Sequence, residues 1–163
     1  MKAAGIRAKM DGSDNSPGWK FAEYEMKGVP LRVEIGPKDI EKGQCVIARR
    51  DNGEKVFVAL DELEETVKRL LDEVHDNMYA MALKNREDNT FDIKSVDEAK
   101  EIIDKKSVFL RSKWCGELEC ELAMKEKVGV TSRCMPLQQS GTEGVCPVCG
   151  KPCKTDIYWG VAY

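Results

Sequence analysis

The sequence lacks the features of membrane-spanning and exported proteins. No apolar run approaches the roughly 18 residues that a membrane helix needs, and the N-terminal residues do not form the apolar stretch of a secretory signal. His75 is the only histidine among 163 residues, which excludes catalysis that depends on a pair of histidines or on a histidine-rich metal site. We therefore expect a cytosolic protein with no membrane partner.

The sequence also lacks the excess of basic residues that many nucleic-acid-binding proteins carry, because its formal net charge is −3. The acidity is local: residues 59–104 contain 6 Lys+Arg against 14 Asp+Glu. The two ends of the chain therefore remain free to face a polyanion. This distribution permits RNA binding without being evidence for it.

Cysteine is abundant, and its positions are informative. Six of the seven cysteines lie between Cys115 and Cys153. In a chain without an export signal, reduced thiols are expected rather than disulfides, so the clustering indicates a metal site.

Four of these cysteines form two short-spaced pairs, Cys115-x4-Cys120 and Cys146-x2-Cys149. Four thiolates bind Zn²⁺ tetrahedrally and leave no position for a reactive water, so we predict one structural zinc ion per chain. Simple reduced cysteines and a redox Cys-x-x-Cys motif are the alternatives.

Cys153 could compete as a ligand. Cys45 and Cys134 are predicted to be strand core.

The first half of the sequence predicts an α/β domain. The segment 29–35 alternates apolar residues with Arg32 and Glu34, as a half-buried strand does, and 6–10 shows a shorter alternation. Ser16 and Pro17 suit the start of a helix. The remaining predicted elements are strands at 44–50 and 55–60, a helix at 17–27, and a helix after Asp61. The last helix is expected to bury its apolar stripe: Leu63, Val67, Leu70, Leu71, Val74, Met78 and Met81.

The polar residues that follow the long helix indicate a boundary between two domains. We predict a first domain at 1–84, a linker at 85–94 and a second, small α+β domain at 95–163. A helix capped by Ser95 and Glu98 begins the second domain. A further helix is predicted near 117–127.

Several segments resemble one known family. Residues 16–21 (SPGWKF) and 28–39 (GVPLRVEIGPKD) resemble the anticodon-binding domain of prolyl-tRNA synthetases. Trp114-Cys115-Gly116, residues 131–134 (TSRC) and the ending 159–163 (WGVAY) resemble the zinc-bearing C-terminal domain of the archaeal and eukaryote-like type. The order and spacing of the motifs are kept along essentially the whole chain.

The resemblance implies a mixed-sheet anticodon-binding domain of the class II synthetases, followed by a small α+β four-cysteine zinc domain. It implies that the first strand and most of the first helix of the anticodon-binding domain are missing before Met1. ATP, Mg²⁺ and proline would bind a catalytic domain that this chain lacks, so the chain alone is not expected to aminoacylate. The parent enzyme would be a homodimer. In relatives the terminal tyrosine, here Tyr163, reaches toward the catalytic domain.

The resemblance also implies which residues contact the anticodon loop of tRNA(Pro). Glu25 would accept hydrogen bonds from a guanine, Arg32 would present its guanidinium on the solvent face of its strand, and Lys38 with Asp39 would form a donor–acceptor pair. Arg49 or its neighbour Arg50 would contact base or phosphate. Each residue could instead have no role in RNA binding. Arg32 could lie on a solvated strand face, Lys38 and Asp39 could form an ordinary turn, and Glu25 could be a surface charge of its helix. Trp19 and Phe21 are predicted to be core rather than base-stacking rings.

Three functions remain open from the sequence. The first is the tRNA-reading and structural tail of a proline--tRNA ligase. The second is a free-standing module that binds tRNA or a synthetase. The third is a zinc-stabilised interaction scaffold without an RNA role.

Overall fold

The computed structural model describes residues 1–162. Tyr163, which was expected to reach toward a catalytic domain, lies outside the described residues. The described chain divides into two compact units, Met1–Leu83 and from Lys84 onward. Each unit has its own hydrophobic core. Within the described residues, no helix is both long and apolar enough to cross a membrane.

The first unit is a three-stranded antiparallel sheet with helices, in the strand order β1-β2-β3. Its elements are α1 (Pro17–Met26), β1 (Leu31–Glu34), α2 (Pro37–Glu41), β2 (Gln44–Arg49), β3 (Lys55–Ala59) and α3 (Leu63–Asp88). Ser16 caps α1 by accepting a hydrogen bond from the backbone N–H of Trp19, and Pro17 at the first position needs no donor there. A 3₁₀ turn, Lys2–Ala4, precedes these elements.

The core of the first unit lies between one face of this sheet and α3. Cys45, Ile47 and Val58 from the sheet pack with Val67 and Leu70 from the helix, and all five are buried. The prediction that Cys45 is core is therefore confirmed. Alternation along β1 sends Leu31 and Val33 to the same cluster, because successive side chains of a strand point to opposite faces.

The second unit is a four-stranded mixed sheet in the order β4-β5-β9-β6, with a two-stranded hairpin β7-β8 beside it. The pair β4-β5 is parallel and the other two pairs are antiparallel. Its elements are β4 (Thr90–Asp92), α4 (Val96–Lys105), β5 (Phe109–Trp114), α5 (Leu118–Val128), β6 (Val130–Cys134), β7 (Gly144–Val145), β8 (Pro152–Cys153) and β9 (Thr155–Val161).

The centre of the second unit is Trp159 on β9, which is almost fully buried. Its indole Nε1 donates a hydrogen bond to Ser112 Oγ on β5 at 2.9 Å, which satisfies a polar group that would be costly to bury unpaired. Met124 from α5 and Leu110 from β5 complete the same cluster.

Several expectations about local structure differ from what the fold contains. Residues 6–10 form no strand, although Ile6 packs against the core. The segment 85–94 is not a polar linker, because α3 continues to Asp88 and β4 follows at once. Residues 37–41 form the short helix α2 rather than a simple turn. Met78 and Met81, expected in the core, are exposed on α3.

Cys134 is exposed rather than strand core. The pairing of β6 with β9 shifts between Ser132 and Cys134. Such a bulge adds one residue to a strand and breaks the simple alternation from which the core position was predicted. The ring of Trp19 is also exposed instead of packed.

Candidate metal centre and nucleic-acid interface

The four predicted metal ligands converge in the second unit. The Sγ atoms of Cys115, Cys120, Cys146 and Cys149 all lie within 4.8 Å of one another, although no ion is part of the structure. Cys115 follows β5, Cys120 lies in the first turn of α5, and the other two flank the turn between β7 and β8. Cys153 does not belong to this group.

The spacing of the sulfur atoms fits a tetrahedral ion. Four thiolates at about 2.3 Å from one Zn²⁺ are about 3.8 Å from each other, and Cys115 Sγ lies 3.7 Å from Cys149 Sγ. The same distance excludes a disulfide, whose sulfur atoms are about 2.05 Å apart. The cluster can therefore hold a metal ion through four thiolates.

The backbone around the cluster supports negative charge on sulfur. Gly116 and Gly150 adopt φ values of 89° and 71°, a conformation that glycine reaches without a Cβ clash. Burial alone would raise the pKa of the Cys146 thiol, but hydrogen bonds from the backbone N–H groups of Cys149 and Val148 outweigh it and lower that pKa to about 7. Burial raises the pKa of Cys120, and only a bound cation would offset that cost.

A second group of candidate site residues surrounds Arg32 in the first unit. Arg32 Nη1 donates to Glu25 Oε1 at 2.7 Å, and Arg32 Nε donates to Glu34 Oε1 at 3.0 Å. The guanidinium carbon lies 3.8 Å from the ring centroid of Phe21. The arginine is thus held on three sides, and part of its fork remains open to solvent.

The structure brings Glu25 and Arg32 into direct contact, so that a carboxylate acceptor and a guanidinium donor lie side by side. The sequence pointed to both residues but not to the ring beneath them, since Phe21 was expected in the core. An aromatic residue four positions before Glu25 on the same helix face was the available signal.

Lys38 and Asp39 lie on α2, two residues after β1. Lys38 is exposed, whereas Asp39 Oδ2 accepts a hydrogen bond from the backbone N–H of Gly36 at 2.9 Å. Asp39 therefore caps its own short helix, which leaves its other carboxylate oxygen as the available acceptor.

The location of Arg49 does not fit the expected RNA contact. Its side chain is only 8% exposed and forms two hydrogen bonds with Asp51, at 3.1 and 2.8 Å, and one with Glu73 at 3.0 Å. A guanidinium that is buried and paired with two carboxylates in this way is poorly accessible to a base. Arg49 instead joins the β2-β3 hairpin to α3 within the first unit.

Arg50 is the exposed member of the pair. Its Nε donates to the backbone carbonyl of Glu25 at 2.9 Å, and it lines a small surface pocket together with Tyr24, Glu25 and Arg32. Of the two arginines considered from the sequence, Arg50 is therefore the one that is exposed beside Glu25 and Arg32.

Comparison with known proteins agrees with this arrangement. Residues 1–70 match the family model described as an anticodon binding domain, and residues 96–163 match the one described as the C-terminal domain of prolyl-tRNA synthetase. The chain contains the anticodon-binding and C-terminal domains of a prolyl-tRNA synthetase. The resemblance is thereby confirmed at the level of these two domains.

Individual relatives extend the match across both synthetase domains. The proline--tRNA ligase of Ruminiclostridium cellulolyticum is 53% identical over 161 residues, covering 99% of this chain and 34% of the relative. Proline--tRNA ligase 2 of Bacillus thuringiensis is 50% identical over 157 residues, covering 96% of this chain and 33% of the relative. The chain thus spans about a third of the length of the curated relatives that it matches.

A solved structure shows the same fold. The prolyl-tRNA synthetase of Cryptosporidium parvum, crystallised with L-proline and AMP, superposes with a TM-score of 0.91 at 31% identity. The match covers 99% of this chain and 35% of that protein.

Proposed function

We propose that this chain is the part of a proline--tRNA ligase that recognises the anticodon of tRNA(Pro) and forms the structural tail of the enzyme. The parent enzyme would attach proline to tRNA with ATP and Mg²⁺ in a separate catalytic domain. The observation that carries the proposal is the Arg32 clamp, in which Glu25, Glu34 and Phe21 fix the orientation of a guanidinium fork that is partly open to solvent.

The chemistry of the clamp suits guanine. Proline anticodons end in two guanines, each of which presents acceptors at O6 and N7 and donors at N1 and N2. A fixed arginine fork matches the acceptors, and a carboxylate such as that of Glu25 matches the donors. Because Glu25 already accepts a hydrogen bond from Arg32, one guanine would meet both residues, Arg32 through its O6/N7 edge and Glu25 through its N1/N2 edge, without further ordering of side chains.

Three further residues complete the proposed interface. Lys38 would contact phosphate or a guanine oxygen, and the second carboxylate oxygen of Asp39 would accept from a base. Of Arg49 and Arg50, Arg50 would make the contact with base or phosphate, because it is exposed beside Glu25 whereas Arg49 is paired and buried.

For the second unit we infer a structural zinc ion bound by Cys115, Cys120, Cys146 and Cys149. A complete set of four thiolates, with sulfur spacing that suits a tetrahedron, supports zinc over harder cations such as Mg²⁺ or Ca²⁺. When bound, the ion would link β5, α5 and the β7-β8 hairpin. Its role would be to stabilise this unit rather than to take part in a reaction.

The four-cysteine cluster and the structural match to the Cryptosporidium enzyme also support assignment to the archaeal and eukaryote-like type. The curated relatives named above are bacterial, so this type describes domain composition and not the source. A homodimeric parent enzyme and a cytosolic location belong to the same proposal.

The test is binding of this chain to tRNA(Pro) and to a transcript with both anticodon guanines replaced by adenine. A bidentate base contact contributes about 1–3 kcal/mol of discrimination, so we expect binding to the altered transcript to be at least about 5-fold weaker. Arg32→Ala should remove that preference. Arg86→Ala, at an exposed position of α3, is the matched control and should keep it.

Equal binding of the two transcripts by the wild-type chain would contradict anticodon recognition. Absence of salt-dependent tRNA binding altogether would favour the interaction scaffold, because phosphate contacts always release counterions.

A further inference from the structure

Phe57 on β3 is a large aromatic side chain that the fold leaves in water, with 68% of its surface exposed. Its neighbours Val56 and Val58 pack against the core of the first unit. Alternation along the strand therefore sends Phe57 to the opposite face of the sheet. The exposed ring is consequently a feature of the outer sheet face and not of a loop or a frayed end.

The outer face that carries Phe57 is also the face that carries the Arg32 clamp. In the strand register, Arg32 on β1 is opposite Ala48, which is opposite Lys55 on β3. The next row is Glu34, Val46 and Phe57. Directly opposite residues share a face of an antiparallel sheet, so all six side chains point the same way.

The distance between the clamp and the ring is on the scale of neighbouring nucleotides. Two strand spacings of about 4.8 Å separate the backbone of Glu34 from that of Phe57, or roughly 10 Å in total. Lys55 bridges this gap, since its Nζ lies 3.4 Å from Glu34 Oε2, and its ammonium is about half exposed.

We propose that Phe57 is a stacking platform for a nucleobase of the anticodon loop, adjacent to the base that the Arg32 clamp reads. This inference rests on the proposed function and assigns a binding residue to it. An unstacked loop base gains from an exposed aromatic face whatever its identity. Lys55 places a cation next to the ring, where the backbone phosphate of a stacked nucleotide passes.

The charges favour RNA over an apolar protein segment as the occupant. The ring is flanked along its strand by Lys55 and is continuous with Arg32 and Glu34, so a partner must satisfy charged groups on two sides. A nucleotide offers an aromatic face and an anion together. Phe21 does not offer the same platform, because the guanidinium of Arg32 already covers one face of its ring.

The test compares Phe57→Leu and Phe57→Tyr in the full chain, with an anticodon stem-loop of tRNA(Pro) as the probe. Stacking on one aromatic side chain predicts that Phe57→Leu weakens binding roughly 5- to 150-fold, whereas Phe57→Tyr binds within about 3-fold of wild type. Phe91→Leu is the matched control, since Phe91 is a partly exposed phenylalanine on β4 of the other unit. Circular dichroism should find all variants folded, because position 57 lies outside the core.

A second measurement identifies the stacked base. Stem-loops that carry one abasic position at a time should each bind more weakly, but the loss from Phe57→Leu should disappear for one of them, because the two changes then remove the same contact. Wild-type binding with no effect of Phe57→Leu would overturn this inference while leaving the proposed function intact. Failure of the wild-type chain to prefer the native anticodon would overturn both.

Discussion

Asp51 binds the guanidinium of Arg49 through two hydrogen bonds, with Arg49 Nε at 3.1 Å from Oδ1 and Arg49 Nη2 at 2.8 Å from Oδ2. The side chain of Asp51 is only 1% exposed. Asn77 on α3 donates to the same carboxylate at 2.7 Å. This pair therefore fastens the β2-β3 hairpin to the long helix and fixes the end of β2, from which Arg50 extends.

Asp51→Asn should destabilise the first unit strongly. Removing one partner of a buried ion pair leaves the other charge without compensation, at a cost of about 3–5 kcal/mol. Because Glu73 still accepts from Arg49, we expect the lower end of this range in urea unfolding followed by circular dichroism. The matched control is Glu64→Gln, which breaks an exposed pair with Lys68 in the same unit and should change stability little. Equal losses in the two variants would disprove the structural role of Asp51.

Both units should lose stability in acid. The bond to the Arg49 guanidinium lowers the pKa of Asp51 to about 2. Burial would raise the pKa of Asp156, but Lys113 and Ser140 outweigh it and lower that pKa to about 2 as well. The ordinary value is 3.8, so the unfolded chain binds more protons as the pH falls. The stabilisation is present above about pH 5 and declines toward pH 2.

Urea titrations between pH 7 and pH 2.5 measure this dependence. Asp51→Asn should flatten the profile of the first unit while the second unit keeps its acid sensitivity through Asp156. An unchanged profile in that variant would show that the low pKa of Asp51 does not contribute to stability.

Metal removal should unfold the second unit selectively. Structural zinc sites contribute on the order of 10 kcal/mol or more to folding, and the four sulfur atoms join three separate elements. A zinc chelator or Cys120→Ser should therefore abolish hydrogen-exchange protection in β5 and β9 and spare β2. Elemental analysis should find one zinc per wild-type chain. Cys134→Ser and Cys153→Ser, outside the cluster, should retain both the metal and the protection.

Lys38→Ala should weaken tRNA binding similarly for all sequences and lower its salt dependence. Losing one phosphate contact reduces the slope of log K against log salt by about 0.7–0.9. Lys100→Ala, an exposed lysine on α4, should leave the slope unchanged. A changed base preference with an unchanged slope would mean that Lys38 contacts a base rather than phosphate.

Local sequence patterns were sufficient to predict the elements whose formation depends mainly on residues nearby in the chain. The alternation at Leu31–Glu34, the cap at Ser16 and the two cysteine pairs each predicted what the structure contains. The alternation at 6–10 did not produce a strand, because a strand also needs a pairing partner that the pattern cannot specify.

The candidate site was predicted less completely, since its geometry depends on register. Arg49 alternates with Cys45 and Ile47 along β2, so the same rule that identified the core also places this arginine on the buried face. The exposure of Phe57 follows from the same reasoning applied to β3. The contacts of Arg32 with Phe21 and Glu25 could not be derived from the sequence, because they depend on how α1 packs against β1.

The charges of the Arg32 clamp and of the adjacent Lys55 sum to zero. Arg32 and Lys55 carry two positive charges, and Glu25 and Glu34 carry two negative ones. These four charges alone do not attract polyanions at long range, so attraction of RNA to the proposed interface falls to Lys38 and Arg50. Only a nucleotide that supplies the right donors and acceptors can replace these internal ion pairs without loss. A charge-balanced patch at the base contact would therefore favour specificity over rapid association. It would also disfavour binding of the many other tRNAs in a cell.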